Sequence, residues 1–241
     1  MREFTVFPAI DLRGGRCVRL RQGDFDRQKE YDADPVGRAL EWERQGAKAI
    51  HVVDLDGAKE GRPVQLDVIR SIAYAVNIPV QAGGGVRTLA DLRSLRAAGA
   101  LRVVIGTAAV GDRDLRRRAL EELNGSLVVA VDARDSVVAT HGWLESSGIA
   151  VLDIAAELAA DGVGSVLYTD VVRDGMDSGA ALEDTAAVAC HIPTIASGGV
   201  RGAEDVRDFS RTDGVVGVIV GTALYEGRVT LEELLQVADR A

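Results

Sequence analysis

The sequence QAGGGVRTLADLR at residues 81–93 recurs in the second half of the chain as IASGGVRGAEDVRDF at 195–209. In both copies a short apolar run leads into a Gly-Gly turn, and a pattern typical of an amphipathic helix follows. Strand, glycine turn and helix in this order are the repeating unit of parallel α/β sheets. The repeated segment therefore predicts an α/β fold with an internal duplication.

Three further pairs of segments extend the repeat at nearly the same spacing. They are AID (9–11) with AVDARD (130–135), HVVDLDGAKEG (51–61) with LYTDVVRDG (167–175), and VVIGTAAV (103–110) with GVIVGTALY (217–225). Matching positions are separated by roughly 114 to 121 residues. Two four-stranded half-barrels, related by a pseudo-twofold axis along the barrel, would produce this pattern.

Eight short, β-branched apolar runs predict the strands of a parallel sheet with both faces buried. Amphipathic helical patterns lie between most of them, as at Pro35–Gln45, Leu89–Ala98 and Ile154–Ala160. Eight such units in about 250 residues favour a single (β/α)8 TIM barrel over residues 1–241. A doubly wound open sheet is the alternative, but it usually has fewer strands and one glycine-rich nucleotide turn. The predicted strands are Thr5–Ile10, Ala49–Asp54, Ile78–Ala82, Arg102–Ile105, Leu127–Val131, Ser165–Thr169, Thr194–Ala196 and Val218–Val220.

The composition excludes several classes of protein. The chain has 241 residues, of which 47% are apolar, and its 37 acidic and 28 basic side chains give a net charge of −9. This apolar content excludes intrinsic disorder, and the acidic balance argues against binding to nucleic acid or to an anionic membrane surface. Two isolated cysteines fit a reducing compartment. Without a secretory signal or an apolar run of roughly 20 residues, we expect a cytoplasmic protein. A monomer is the expected oligomeric state.

Glycine turns follow four of the predicted strands and form two symmetry-related pairs. Backbone amides without a Cβ at the start of a helix are a ready phosphate site. Glycines that only make tight βα turns are the alternative for any single turn. Two phosphate sites across one barrel mouth predict a small-molecule bisphosphate ligand. The turn residues are Gly83, Gly84 and Gly85, then Gly106 and Thr107, with Ser197, Gly198, Gly199, Gly221 and Thr222 as their second-half equivalents.

Three arginines and one tryptophan are further candidates for ligand binding. Arg19 lies on the second run of a hairpin-like segment, and Arg87 and Arg201 each follow a glycine turn by two residues. Each of these arginines is alternatively a solvated surface residue. Trp143, in HGWLESSG after the fifth predicted strand, is placed either to stack on a heterocycle or to plug the barrel rim.

Two aspartates end the first strands of the two halves and are candidates for acid–base chemistry. Asp11 and Asp132 close predicted strands one and five, whose ends face the barrel mouth. A capping role is the alternative for one such residue, but a symmetry-related pair favours catalysis, with the two pKa values driven apart. Thr169 and Asp174 reach the same mouth from strand six. Asp54, which ends strand two, is assigned a structural role.

Metal chemistry and a serine triad receive no support from the sequence. His51, His141 and His191 are scattered without metal-ligand spacing, and the HExxH, CxxC and G-x-S-x-G patterns are absent. We therefore expect no metal and no metal-dependent reaction.

Motifs from all eight predicted units carry a family resemblance: PAIDLRGGRCVRLRQGDF (8–25), HVVDLDGAKEG (51–61), QAGGGVR (81–87), VVIGTAA (103–109), HGWLESSG (141–148), TDVVRDGM (169–176), ASGGV (196–200) and GVIVGTALYEG (217–227). Together they resemble the phosphoribosyl isomerases of histidine biosynthesis, from one end of the chain to the other. These enzymes convert phosphoribosylformimino-aminoimidazole carboxamide ribotide, an aminoaldose with two phosphates, into its phosphoribulosyl ketose. The resemblance implies an Amadori rearrangement that uses neither cofactor nor metal.

The resemblance also implies roles for individual residues. Asp11 matches the proton acceptor of the family, and Asp132 matches the proposed proton donor. Thr169 matches the active-site Thr, and Asp174 is a second candidate for the acid. The chain departs from the family at Met176, where Thr most often follows RDG.

Three alternative functions share these features. The cyclase subunit of imidazole glycerol phosphate synthase has the same repeat, but it typically begins with C-L-D and an early Lys, where this chain has PAIDL. A dual-substrate isomerase that also acts on phosphoribosylanthranilate would use the same acid and base, but QGDF and HGWLES are typical of the histidine pathway. A phosphosugar-binding barrel without turnover is disfavoured because Asp11, Asp132, Thr169 and Asp174 are all present.

Overall fold

One continuous sheet forms the framework of the protein. The structure is a computed structural model that describes residues 4–21, 23–140, 142–176 and 179–239. Within these residues, the sheet contains twelve strands. They are β1 (Thr5–Arg13), β2 (Arg16–Arg21), β3 (Asp24–Asp32), β4 (Ile50–Asp54), β5 (Val80–Gly83), β6 (Arg102–Ile105), β7 (Leu127–Arg134), β8 (Val137–Thr140), β9 (Glu145–Ala150), β10 (Ser165–Asp170), β11 (Thr194–Ser197) and β12 (Val215–Val220).

Eight of the strands are parallel and close into a barrel. Their order is β10-β11-β12-β1-β4-β5-β6-β7, and β7 pairs with β10 to complete the ring. These are the eight predicted strands, with ends shifted by a few residues, so the TIM-barrel prediction is confirmed. The open-sheet alternative is wrong because the barrel has no free edge. The division into two half-barrels stays a prediction from the sequence repeat.

Helices surround the barrel and return the chain from one strand to the next. Two of the predicted helices begin at side-chain caps, because polar N-cap residues favour a helix start: Asp34 caps the helix at Pro35–Arg44, and Thr88 caps the helix at Leu89–Ala97. Among the described residues, no helix combines the length and apolar character needed to cross a membrane. The helices are α1 (Pro35–Arg44), α2 (Leu55–Glu60), α3 (Leu66–Ala75), α4 (Leu89–Ala97), α5 (Thr107–Gly111), α6 (Arg113–Leu123), α7 (Val151–Ala160), α8 (Leu182–Ala189), α9 (Ala203–Ser210), α10 (Thr222–Tyr225) and α11 (Leu231–Ala238).

Alternation along the strands divides the core into two parts. In β1, Val6 and Ile10 pack toward the helices, whereas Phe7 and Ala9 fill the barrel interior. Asp11 continues the inward-facing series at the end of the strand, because side chains two residues apart share a face. The same periodicity on β7 places Asp132 above Val128 and Ala130. The barrel interior therefore ends in carboxylates at its C-terminal rim.

Two antiparallel hairpins extend from that rim, and the strand predictions from the sequence did not include them. β2 and β3 follow β1, while β8 and β9 follow β7, so the hairpins occupy equivalent places in the two halves. β3, with the sequence DFDRQKEYD, is mostly exposed and lacks the apolar alternation of a half-buried strand. The hairpins extend the walls of the barrel mouth above Asp11 and Asp132.

Candidate active site

A cavity of about 420 Å³ opens at the C-terminal rim of the barrel. Four predicted acid–base residues, Asp11, Asp132, Thr169 and Asp174, line it together. A smaller pocket adjoins the cavity and shares Arg19, Asp174 and Ser197 with it. The fold therefore brings carboxylates from β1, β7 and the loop after β10 to one cavity at the barrel mouth, where ligands of TIM barrels bind.

Arg19 joins two of these carboxylates. Its Nη1 donates to Asp11 Oδ2 at 2.7 Å, and its Nη2 donates to Asp174 Oδ1. Burial alone would lower the pKa of the guanidinium, but Asp174 and Asp11 raise it above its ordinary value. Burial raises the pKa of Asp174, and the guanidinium of Arg19 partly offsets that rise. Arg19 is therefore a fixed positive charge between two acids.

Asp132 has a different environment from the other two aspartates. It faces Thr169 across the β7–β10 pair, and the Thr169 hydroxyl and the Trp143 indole both hydrogen-bond to its carboxylate. Burial raises the pKa of Asp132 to about 6, although these hydrogen bonds lower it and Asp174 raises it further. No arginine is among the groups that shift it. The site thus contains one carboxyl group with a pKa of about 6, that of Asp132, and two carboxylates that share the positive charge of Arg19.

The predicted phosphate residues of the first half line the large cavity: Gly83, Gly84, Gly85, Arg87, Gly106 and Thr107. Gly106 is the N-cap of the short helix α5, and no described side chain caps that helix. The Arg87 side chain lies against the backbone of Gly61, the residue that ends α2. These groups form one end of the cavity.

The second-half residues line the smaller pocket: Ser197, Gly198, Gly199, Gly221 and Thr222. Arg228 joins them, a residue that the sequence analysis did not select. Thr222 Oγ1 is buried and has no hydrogen-bond partner among the described residues. A buried hydroxyl without a partner costs free energy, of order 1–3 kcal/mol, so its position favours a ligand that hydrogen-bonds there.

Backbone conformation is a second reason why glycine occupies these turns. Gly84 and Gly198 have φ values of 113° and 91°, which L side chains rarely adopt. A Cβ on Gly198 would lie 2.7 Å from the carbonyl oxygen of Asp170, and one on Gly84 would overlap the equivalent carbonyl of Asp54. Tight turns therefore account for these glycines as well as a phosphate site does, so the two interpretations coexist.

Three other candidates have distinct positions. Arg201 lies outside both pockets and pairs with Asp205 at 3.2 Å. Asp54 is fully buried and accepts hydrogen bonds from three backbone amides, including that of Gly57 at 2.7 Å. Trp143 lies at the cavity wall, where a Cβ on Gly23 of the β2–β3 turn would be 2.5 Å from its ring.

Comparison with known sequences agrees with this geometry. The family described as Histidine biosynthesis protein matches residues 5–230. The chain belongs to this family. A protein of Rubrobacter xylanophilus is 70% identical over 98% of this chain and 97% of its own length. Proteins of Rhizorhabdus wittichii and a Picosynechococcus species are 49% and 46% identical, over 98% and 96% of this chain and 99% and 92% of their own.

All three relatives are named 1-(5-phosphoribosyl)-5-((5-phosphoribosylamino)methylideneamino)imidazole-4-carboxamide isomerase. That name denotes the isomerase of the resemblance found in the sequence. None of the three is named as a cyclase subunit or as an isomerase of phosphoribosylanthranilate.

Sequence reasoning missed a polar pair deeper in the barrel of this histidine biosynthesis family member. His51 lines the cavity next to Ala9, and its Nδ1 is 3.0 Å from Gln81 Nε2. Burial lowers the pKa of His51 to about 3, with smaller contributions from Arg19 and Arg102. The ring is therefore neutral at pH 7. Strand alternation would have predicted its inward direction, since it lies two residues before the rim residue Val53.

Proposed function

We propose that this chain is the isomerase its relatives are named for. It would convert the aminoaldose, phosphoribosylformimino-aminoimidazole carboxamide ribotide, into the phosphoribulosyl ketose by an Amadori rearrangement. The observation that carries the proposal is one cavity that holds Asp11, Asp132 and Asp174, is lined by the first-half glycine turns and adjoins a smaller pocket lined by the second-half glycine turns. A ligand with a phosphate at each end and a reactive ribose in the middle fits that order of groups.

The two pockets would bind the two phosphates of the substrate. Backbone amides at the starts of α5 and α10 would donate to the phosphates, and Arg87 and Arg228 would add positive charge in the large cavity and in the smaller pocket, respectively. Holding both ends restricts the open-chain intermediate to one position relative to the carboxyl groups. Such restriction lowers the entropic part of the barrier.

Asp132 is the better supported acid in this mechanism. Ring opening needs protonation of the furanose oxygen and yields a Schiff base. A carboxyl group whose pKa lies at about 6 holds a proton more readily near neutral pH than one that is paired with arginine. Asp174, held by Arg19, is the second candidate.

Asp11 would then act as the base. It removes the C2 proton of the Schiff base, giving an enolamine that tautomerises to the ketose. Arg19 keeps Asp11 oriented at 2.7 Å, Thr169 orients Asp132, and Trp143 offers an aromatic face to the heterocycle while its indole N–H holds Asp132. Each well-placed proton transfer contributes roughly 10²–10⁴-fold to the rate.

The hydroxyl of Thr222 provides a test of the second phosphate pocket. Thr222→Val removes a buried hydroxyl without changing the volume of the side chain, so we expect unchanged or slightly higher stability. If the hydroxyl donates to a substrate phosphate, KM should rise by about 3- to 10-fold, as the loss of one hydrogen bond predicts. Steady-state kinetics and thermal melting measure both effects.

Thr222→Ser is the matched control for this test because it keeps the hydroxyl. We expect its KM to stay close to the wild-type value. Equal KM values for the Val, Ser and wild-type proteins would contradict phosphate binding by this side chain.

A direct assay tests the proposed function. The purified protein is incubated with the histidine-pathway aminoaldose, and ketose formation is followed by absorbance and chromatography. Turnover without added metal or cofactor is the expected result. A parallel incubation with phosphoribosylanthranilate separates a single-substrate from a dual-substrate enzyme, and failure to convert the first substrate would refute the proposal.

A further inference from the structure

The β2–β3 hairpin carries Arg19 into the site from outside the barrel. Arg19 lies on β2, and its partner across the antiparallel ladder is Lys29 on β3. Residues that face each other in such a ladder are fixed relative to one another by the backbone hydrogen bonds on either side. A restraint on Lys29 therefore also restrains the backbone of Arg19.

Glu226 supplies such a restraint from the end of α10. Its Oε1 accepts hydrogen bonds from Lys29 Nζ at 2.8 Å and from the Tyr31 hydroxyl at 2.9 Å. The hydrogen bond from Lys29, followed by that from Tyr31, lowers the pKa of Glu226 to about 2. The carboxylate is thus ionised throughout the neutral range, and it links β3 to the segment that follows the second phosphate pocket.

The other carboxylate oxygen of Glu226 contacts an arginine that lines that pocket. Glu226 Oε2 accepts from Arg228 Nη2 at 3.0 Å, and Arg228 lines the pocket together with Gly221 and Thr222. One side chain therefore contacts both the hairpin that carries Arg19 and an arginine at the phosphate pocket.

Aromatic side chains beside Glu226 also connect β3 to α10. The Tyr31 and Tyr225 rings stack with their centroids 4.8 Å apart, and Trp42 meets Tyr225 edge-on at 5.3 Å. These contacts stabilise the base of the hairpin by themselves. Loss of the Glu226 carboxylate is therefore expected to displace the hairpin locally and leave the fold intact.

We propose that Glu226 is a positioning residue, whose carboxylate places Arg19 between Asp11 and Asp174 through β3 and orients Arg228 toward the phosphate. This inference rests on the proposed function, because its consequences are measured in the isomerase reaction. Arg19 contacts two groups of the acid–base machinery, so its displacement acts on turnover. Displacement of Arg228 acts on binding.

The variants Glu226→Gln, Lys29→Met and Arg228→Met separate these two effects. We expect Lys29→Met to lower kcat by about 10-fold, since a small displacement of a catalytic constellation has effects of this order. Arg228→Met is expected to act mainly on KM, raising it by about 10-fold through the loss of a charge-assisted hydrogen bond. Glu226→Gln should change both parameters.

Glu30→Gln is the matched control. Glu30 lies on the same strand and pairs across the hairpin with Arg16, but this ion pair does not involve α10. Its side chain is 44% exposed, against 32% for Glu226, so both substitutions remove a partly exposed carboxylate. Exposed ion pairs contribute little to global stability, so neither variant should shift Tm by much. Of these two variants, Glu226→Gln should alter kcat and KM, and Glu30→Gln should alter neither.

A double-mutant comparison tests whether Lys29 and Glu226 act through each other. The kcat of the Lys29→Met/Glu226→Gln protein should equal that of Lys29→Met within about twofold, because the same contact is lost in both. Multiplicative losses would overturn the inference, as would Glu226→Gln kinetics that match those of Glu30→Gln.

Titration with inorganic phosphate supplies a readout that does not depend on turnover. Phosphate should raise the Tm of the wild-type protein, and Glu226→Gln should weaken this apparent affinity by about 3- to 10-fold, an effect comparable to one hydrogen bond. A wild-type protein without turnover would refute the proposed function, while the phosphate titration would still decide the role of Glu226. Equal phosphate affinity in the wild-type, Glu226→Gln and Glu30→Gln proteins would overturn that role.

Discussion

Asp11→Asn is expected to lower kcat by at least about 10³-fold while phosphate affinity stays within about threefold of the wild-type value. The amide cannot accept the C2 proton, yet it has nearly the same shape and still accepts a hydrogen bond from Arg19. The phosphate pockets are lined mainly by glycine turns, and Arg19, which also lines the second pocket, keeps its ion pair with Asp174 in this variant. Steady-state kinetics, together with phosphate titration by thermal shift, measures both quantities.

Asp135→Asn is a suitable control for this loss. Asp135 lies in the turn between β7 and β8, outside the cavity lining, with a φ of 52° that Asn also tolerates. Its kinetics should equal those of the wild-type protein. An Asp11→Asn protein with near wild-type turnover would refute the assignment of Asp11 as base.

The barrel could be predicted from the sequence because its strands are buried on both faces. Runs such as Arg102–Ile105 and Leu127–Val131 have no polar alternation, and the repeat near 115 residues tied them to equivalent runs elsewhere. Strand ends were shifted, as at β5, which begins at Val80 rather than Ile78. Such ends depend on pairing with neighbouring strands, which local composition does not specify.

The hairpins could not be predicted as strands because their stability comes from tertiary contacts. β3 contains Lys29 and Glu30 and exposes most of its side chains. What holds it is pairing with β2 and contact with Tyr225 and Glu226, which are nearly two hundred residues away in the chain. Local sequence patterns do not identify partners that lie so far away in the chain.

Which residues line the cavity was easier to predict than which of them pair with one another. Arg19 was expected to bind phosphate, and it does line the second pocket. Its ion pairs with Asp11 and Asp174 were not expected, since they join residues 8 and 155 positions apart. The sequence repeat pointed to opposed Asp11 and Asp132, but it contained no sign that only one of them would pair with an arginine.

The second large effect concerns Asp132, where loss of function should accompany a gain in stability. Asp132→Asn is expected to lower kcat by at least about 10²-fold because the amide does not supply the acidic proton. The pKa of Asp132 rises from 3.8 to about 6 on folding, so the native state binds this proton more tightly than the unfolded state. Wild-type stability therefore falls as pH rises from about 4 to 6, and the Asn variant escapes this loss.

The stability gain has a predictable size and pH dependence. A shift of this magnitude corresponds to roughly 3 kcal/mol, and we expect about 1–2 kcal/mol because part of Asp132 is open to the cavity. The difference in unfolding free energy between Asp132→Asn and the wild-type protein should grow between pH 4 and 6 and level off above. Denaturant unfolding at several pH values measures it.

Asp174→Asn should leave stability closer to the wild-type value than Asp132→Asn does, and the kinetics of the two variants distinguish the candidate acids. It removes one of two carboxylates from the buried guanidinium of Arg19, but it also relieves the burial cost that raises the pKa of Asp174. We therefore expect any gain in unfolding free energy to be smaller than for Asp132→Asn. If Asp132 is the acid, its variant combines higher stability with the larger loss of kcat. A larger kcat loss in Asp174→Asn would transfer the acid role to Asp174, and small equal losses would exclude both residues.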